Sequence, residues 1–205
     1  VPSIENPEEY FKVNVQGTVK VLEAARVNGV GKFVYASSSS CYGLAETPTS
    51  ENCSISPMYP YAMSKYLGEQ VSLHWQKVYG LPVNSICIFN AYGRRVKTTG
   101  AYGAVFGVFL KQKLSGKPLT VVGDGSQSRD FIHVYIPKRP GEPDVTFADI
   151  SKAKSILGWQ PSISFDQGVK DMIDSIEEWE SAPLWDPSSI EQATSSWFRF
   201  MSKDI

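Results

Sequence analysis

The chain has 205 residues, 42% of them hydrophobic, and a formal net charge of -1. That content builds one sizeable core, or a core with a small second lobe, and the near balance of charge offers no electrostatic footprint for nucleic acid or an anionic membrane. No run of about 18 apolar residues occurs, and the opening VPSIENPEEY lacks a basic start followed by an apolar stretch, so neither a membrane span nor an export signal is expected.

Glu8 to Val27 reads as a helix with an approximate stripe of Phe11, Val15, Val19, Val21, Leu22 and Ala25, stopped by Asn28-Gly29. Lys32 to Ala36 reads as a short buried strand running into the serines 37 to 40. Ala62 to Tyr79 is a second helix, ended by Gly80-Leu81-Pro82, and Val83 to Phe89 a second strand. This alternation implies parallel crossovers and a sheet covered on both faces, with ligands at the carboxyl ends of the strands. Ala104 to Leu114 is expected to be a helix and Leu119 to Val122 a strand. Farther on, Ser151 to Leu157 and Gln167 to Glu180 are helical by pattern, Pro183 to Ser189 a loop, and Ile190 to Met201 a last helix. The three cysteines, Cys41, Cys53 and Cys87, are unlike a Cys-x-x-Cys site, and His74 and His133 are far apart in the chain. Reduced thiols, a cytoplasmic location and no metal site are expected.

Tyr61 and Lys65 stand four residues apart in YPYAMSKYLGEQ, one loop after FVYASSSSCYG. On a helix that spacing puts both side chains on one face, one turn apart. A free phenol titrates near ~10, and a base working near neutrality needs about 4 kcal/mol of added preference for the phenolate, part of which a neighbouring ammonium can supply. Taken alone, such a Tyr-x-x-x-Lys pair is more readily structural than catalytic. The serine run before it changes the reading.

SSSSCYG, SPMYPYAMSK, NPEEYFKVNVQGTVKVLEAA, FNAYGRR, GDGSQSRDFIHV and RPGEPDVTFADISKAKSILGWQP, in this order, resemble the extended short-chain dehydrogenase/reductases of the NAD-dependent epimerase/dehydratase family, over most of residues 1 to 175. The resemblance implies an α/β fold, a Rossmann-like doubly wound parallel sheet with a smaller C-terminal substrate-binding lobe. Residues 1 to 134 are then the remainder of the NAD-binding domain with the start of that lobe, and 135 to 205 the lobe and terminal helices. It also implies NAD as cofactor and a nucleotide sugar, a UDP-sugar first, as substrate. By the same resemblance Tyr61 is the base, Lys65 its partner and a contact of the nicotinamide ribose, and Ser38 the hydroxyl on the sugar oxygen. Asn14 and Ser37 fall on the cofactor side. Asn90, Arg95, Arg129, Arg139 and Glu142 match positions around the nucleotide diphosphate and ribose, where guanidinium groups suit a pyrophosphate. Thr146 falls where a small residue leaves room for an N-acetylated sugar, whereas Cys87 stands where the family commonly has arginine.

Dehydratases of the family carry Asp-Glu after the hydroxyl residue and decarboxylases usually a glutamate at the second position. Here both, Ser39 and Ser40, are serine. The resemblance thus points to a 4-epimerase of a UDP-hexose or UDP-N-acetylhexosamine. A uronate epimerase, a decarboxylase with an altered acid, and a nucleotide-sugar-binding protein without turnover stay open. A homodimer through the first helix and the Tyr61 helix is expected, as in the family. No Gly-x-x-Gly-x-x-Gly occurs, and Val134 runs at once into YIPKRPGE where the family has a further region. The chain is therefore expected to be a piece, or joined pieces, of a longer protein, with a natural deletion the less favoured alternative.

Overall fold

The computed structural model describes residues 2–92, 105–120, 128, 130 and 147–201. Its helices are α1 (Pro2–Glu5), α2 (Pro7–Phe11), α3 (Thr18–Val27), α4 (Pro60–Tyr79), α5 (Val105–Leu114), α6 (Ser151–Leu157), α7 (Phe165–Asp174) and α8 (Pro187–Met201), and its strands are β1 (Phe33–Ser38) and β2 (Val83–Ile88).

The helix expected over Glu8 to Val27 runs from Pro7, with Asn6 accepting the Glu9 N–H at its start, and contains a wide π-helical stretch at Lys12–Gly17. Its stop is as expected: Asn28 caps α3, and Gly29 takes a φ of 63° that favours glycine. Strand β1 reaches Ser38, two residues farther than the pattern suggests. Helix α4 begins two residues earlier than expected, with Pro60 at its first position, where proline's missing N–H costs nothing. That places Tyr61 in the first turn.

Strands β1 and β2 are parallel neighbours, paired from Phe33 with Val83 to Ser38 with Ile88, and α4 makes the crossover between them. Helices α3 and α4 pack together, and α4 lies on both strands. The core there is Leu22, Ala25, Leu81 and Val83, flanked by Phe33, Val71 and Trp75. Among the described residues the opposite face leaves Val34 and Ile86 53% exposed and Ile88 40%, because the crossover helix shields only the side of Tyr35 and Val83. A second core joins Leu110 of α5, Met172 of α7 and Trp179.

Leu119 and Thr120 form no strand, and 121–127 lie outside the described residues. The Thr120 N–H goes instead to the Gln112 side chain, 3.1 Å away, and that buried amide also donates to Thr120 Oγ1 and the Trp185 carbonyl. The segment over Gln167 to Glu180 divides at Ser175 into α7 and a short 3-10 turn, Ile176–Trp179. Helix α8 starts three residues before the expected Ile190, because Asp186 and Ser189 cap it reciprocally, backbone N–H to side chain, at 2.8 and 2.9 Å. Its Trp197, 1% exposed, stacks edge-on against Tyr59 at 4.8 Å, and Ser196 bonds Glu5 of α1. No described helix is long and apolar enough to cross a membrane.

One close approach locks these pieces. A Cβ at Gly68 of α4 would collide with Tyr35 Oη and stand 2.7 Å from the Asn14 carbonyl. Gly68→Ala therefore has to push α4 away from β1 and the π-helical stretch, and a loss of about 1–3 kcal/mol is expected in urea unfolding.

Candidate active site

The carboxyl end of β1 delivers two buried hydroxyls in succession, Ser37 and Ser38. Both turn inward because the chain leaves the pleat at Ser38, whose side chain caps the 3-10 turn Ser39–Tyr42 and accepts from the Ser40 N–H at 3.3 Å. Ser38 Oγ lies 2.8 Å from Ser40 Oγ, and the serine favours the ionised form of the Tyr61 phenol. Tyr61 stands at the head of α4, where unsatisfied N–H groups favour an anion. Its ring meets that of Tyr10 edge-on, centroids 6.0 Å apart.

The backbone behind Tyr61 is held by a relay. Asn14 Nδ2 donates to Ser64 Oγ at 3.0 Å, and Ser64 Oγ donates to the Tyr61 carbonyl at 2.9 Å. Asn14 sits in the π-helical stretch, and its own carbonyl accepts from Thr18 Oγ1 at 2.7 Å. Its amide thus braces the helix that carries Tyr61. The Cys41 thiol, on the 3-10 turn, donates to the Ala62 carbonyl at 3.5 Å and ties that turn to the same helix.

Lys65 does not act on Tyr61 in the way the spacing suggests. Burial pushes the phenol above its ordinary value; Ser38 pulls it partly back, and Cys41 adds to the rise. The ammonium lies over the Tyr35 ring, 4.6 Å from its centroid, and Tyr35 Oη donates to the Lys65 carbonyl at 3.1 Å. Burial lowers the lysine's affinity for its proton, opposed by Cys41 and Glu69. A resting site with a neutral phenol and a cation held to one side results.

Among the described residues no oxygen accepts a hydrogen bond from Lys65 Nζ, although the side chain is half-buried. An ammonium with a ring beneath it and free N–H groups suits a sugar hydroxyl, so Lys65, Tyr61 and Ser38 fit the ribose and nicotinamide end of a dinucleotide. Ser37 is less free for that part, since its hydroxyl donates to Glu69 Oε2 at 3.0 Å. The sequence reading passed over Glu69. Its spacing, one turn beyond Lys65 and two beyond Tyr61 on one helix face, was the available signal.

At the end of β2, Asn90 Nδ2 donates to the Asp130 carbonyl at 3.3 Å, and Asp130 Oδ2 accepts from the Ala148 N–H at 3.0 Å. Ala148 bridges to Thr49 in the loop before α4, so these bonds link the two strand ends with the later part of the chain. Arg95, Arg129, Arg139, Glu142 and Thr146 lie outside the described residues. Cys41, Cys53 and Cys87 are all free thiols, and Cys87 and Tyr42 act on one another electrostatically.

The NAD dependent epimerase/dehydratase family model matches residues 2–135, and that of GDP-mannose 4,6 dehydratase matches 135–172. A protein of Bacillus subtilis described as an uncharacterized UDP-glucose epimerase is 30% identical, covering 80% of this chain and 66% of its own length. A putative UDP-glucose 4-epimerase of Methanocaldococcus jannaschii is also 30% identical, over 83% of this chain and 71% of its own. The chain thus spans about two thirds of the length of these relatives. The UDP-glucuronic acid 4-epimerase of Bacillus cereus, solved with UDP-glucuronic acid and NAD, superposes with a TM-score of 0.72 at 26% identity, over 83% of this chain and 69% of that one. The Bacillus subtilis alignment takes 213 positions to include 80% of 205 residues, about 164, so about 49 of its positions face no residue here. The two family matches meet at residue 135, where Val134 runs into YIPKRPGE.

Burial drives Tyr35 and Cys87 up to about 12 each, and Cys41 and Tyr61 upward as well. The fold holds these protons while the unfolded chain releases them at ordinary values, so the stabilisation is complete below about pH 8.5 and is lost as pH climbs toward about 12. The melting temperature is expected to fall through that window. In Cys87→Ala the fall should be shallower, and equal slopes in both proteins would contradict the assignment.

Proposed function

Because this chain belongs to the NAD dependent epimerase/dehydratase family, we propose that it acts in nucleotide-sugar 4-epimerisation, inverting C4 of a UDP-hexose or UDP-N-acetylhexosamine through a transient 4-keto sugar. The observation that carries the reading is the placing of Ser38 at the end of β1 and Tyr61 at the head of α4, where the serine favours the phenolate, with serine, not an acid, at positions 39 and 40. Such a site is equipped to oxidise an alcohol and reduce it again, and not to eliminate water. The Bacillus subtilis and Methanocaldococcus jannaschii relatives, both described as UDP-glucose epimerases, support the same choice.

NAD is the family's cofactor; when bound it supplies a hydride acceptor and donor and a cationic ring that favours the phenolate. Lys65 and Tyr61 hold its ribose end. Tyr61 Oη takes the proton of the sugar hydroxyl, keeps it while the keto sugar turns over, and returns it when the alcohol forms on the other face. Ser38 Oγ donates to the sugar oxygen as it gains carbonyl character. Asn14, through Ser64, keeps the first turn of α4 from drifting. Arg129 and Arg139 are assigned to the diphosphate, with Arg95, Asn90 and Glu142 around the nucleotide and Thr146 beside the C2 substituent. A homodimer through α3 and α4, which expose Val21 and Leu73, belongs to the same reading.

A second reading, uronate 4-epimerase, draws on the likeness to the Bacillus cereus enzyme. The two are separated by incubating the protein, without added cofactor, with UDP-GlcNAc, UDP-glucose and UDP-glucuronic acid in turn and following the C4 epimer by NMR. Tyr61→Phe should lower turnover by about 10²–10⁴-fold and leave nucleotide-sugar binding intact. Arg129→Ala should weaken that binding. Full activity of the Tyr61→Phe protein would remove the assigned base.

A further inference from the structure

Between the ends of β1 and β2 and the inner face of α4 lies a group of titratable side chains: Tyr35, Cys41, Tyr42, Tyr61, Lys65, Glu69 and Cys87. Glu69 is the carboxylate among them. It accepts the Ser37 hydroxyl at 3.0 Å, stands one turn beyond Lys65, and acts electrostatically on Tyr35, Cys41, Tyr42, Lys65 and Cys87. The other side chains of the group face Lys65 with little charge near neutrality. Tyr35 below it and Cys41 on the 3-10 turn are both held neutral by burial, as is Tyr61 one turn before it. Burial of the ammonium is thus opposed by Cys41 and by Glu69, the carboxylate of the group.

We propose that Glu69 is a positioning residue of this site: its carboxylate clamps the strand end that presents Ser38, through Ser37, and, one helical turn beyond Lys65, supports the ammonium that lies over the Tyr35 ring. The site is then a three-layer device. Glu69 acts on Lys65 and Ser37, and these in turn hold what meets cofactor and sugar. Glu69 itself touches neither. The assignment of Lys65 rests on the proposed function, but its charge state is measurable without it.

Glu69→Gln removes the charge and retains an acceptor for Ser37. In protein labelled with ¹³C at lysine Cε, the Lys65 signal, identified by its loss in Lys65→Arg, should titrate with a midpoint at lower pH in Glu69→Gln than in wild type. With a substrate in hand, the alkaline limb of turnover should move to lower pH in parallel while the acid limb, set by Tyr61, stays in place. A merely structural role would lower the height of the profile and leave both limbs where they are. An unchanged Lys65 midpoint overturns the proposal. Should Glu69→Gln not fold, Glu69→Asp, which withdraws the carboxylate by one methylene, is expected to lower the midpoint in the same direction, and no change there overturns it equally. The NMR titration needs neither sugar nor cofactor. A shifted midpoint without any epimer therefore sinks the nucleotide-sugar reading alone, and an active enzyme with an unshifted midpoint sinks the role of Glu69 alone.

Discussion

The close seating of α4 against β1 at Gly68 is the constraint on which the rest of the site depends. With no side chain there, the Tyr35 hydroxyl and the Asn14 carbonyl both reach the helix backbone, and Tyr35 can donate to the Lys65 carbonyl. Tyr35 thereby fixes the level of α4 along the strand. Four residues earlier on the same helix stands Ser64, which Asn14 reaches from the π-helical stretch. The wide turn and the glycine are complementary: each lets main chain approach main chain where a regular helix or a larger residue would hold them apart.

From that seating the catalytic arrangement follows by geometry. Tyr61 is carried at the first turn of α4 and Ser38 at the last residue of β1, so their meeting depends on how far the helix start lies from the strand end. Trp197 of α8 packs on Tyr59, directly before that helix start. The C-terminal part of the chain is thus in contact with the segment that leads into Tyr61. Asn90, Asp130, Ala148 and Thr49 make a second set of ties from β2 to the loop before α4. These are backbone-directed bonds, and they hold the rim of the cleft without relying on side-chain packing.

Electrostatically the resting site is tuned toward neutrality. Burial dominates at Tyr61, Tyr35, Cys41 and Cys87, and raises each of them. A phenol in that condition is no base. In the proposed function its ionisation waits on a cation arriving in the cleft, so that proton removal is coupled to occupancy of the cofactor side. Lys65, stacked on Tyr35, is placed for a ribose more directly than for the phenol.

The sequence by itself determined the alternation of helix and strand and the parallel crossover, and it singled out Ser38, Tyr61 and Lys65 as candidates near the carboxyl end of a strand. Apolar periodicity, glycine and proline stops and the order of motifs are local signals, and they survive without any tertiary information. Tertiary structure decided what those signals leave open. It showed that the Lys65 charge goes to Tyr35 and that burial raises Tyr61, because solvent exclusion depends on what packs around a residue. It gave Ser37 to Glu69 and Thr120 to Gln112, bonds that span 32 and 8 residues and leave no periodic trace. Among the described residues it also left Val34, Ile86 and Ile88 exposed, since which elements cover a strand is a property of neighbours distant in the chain and not of the strand.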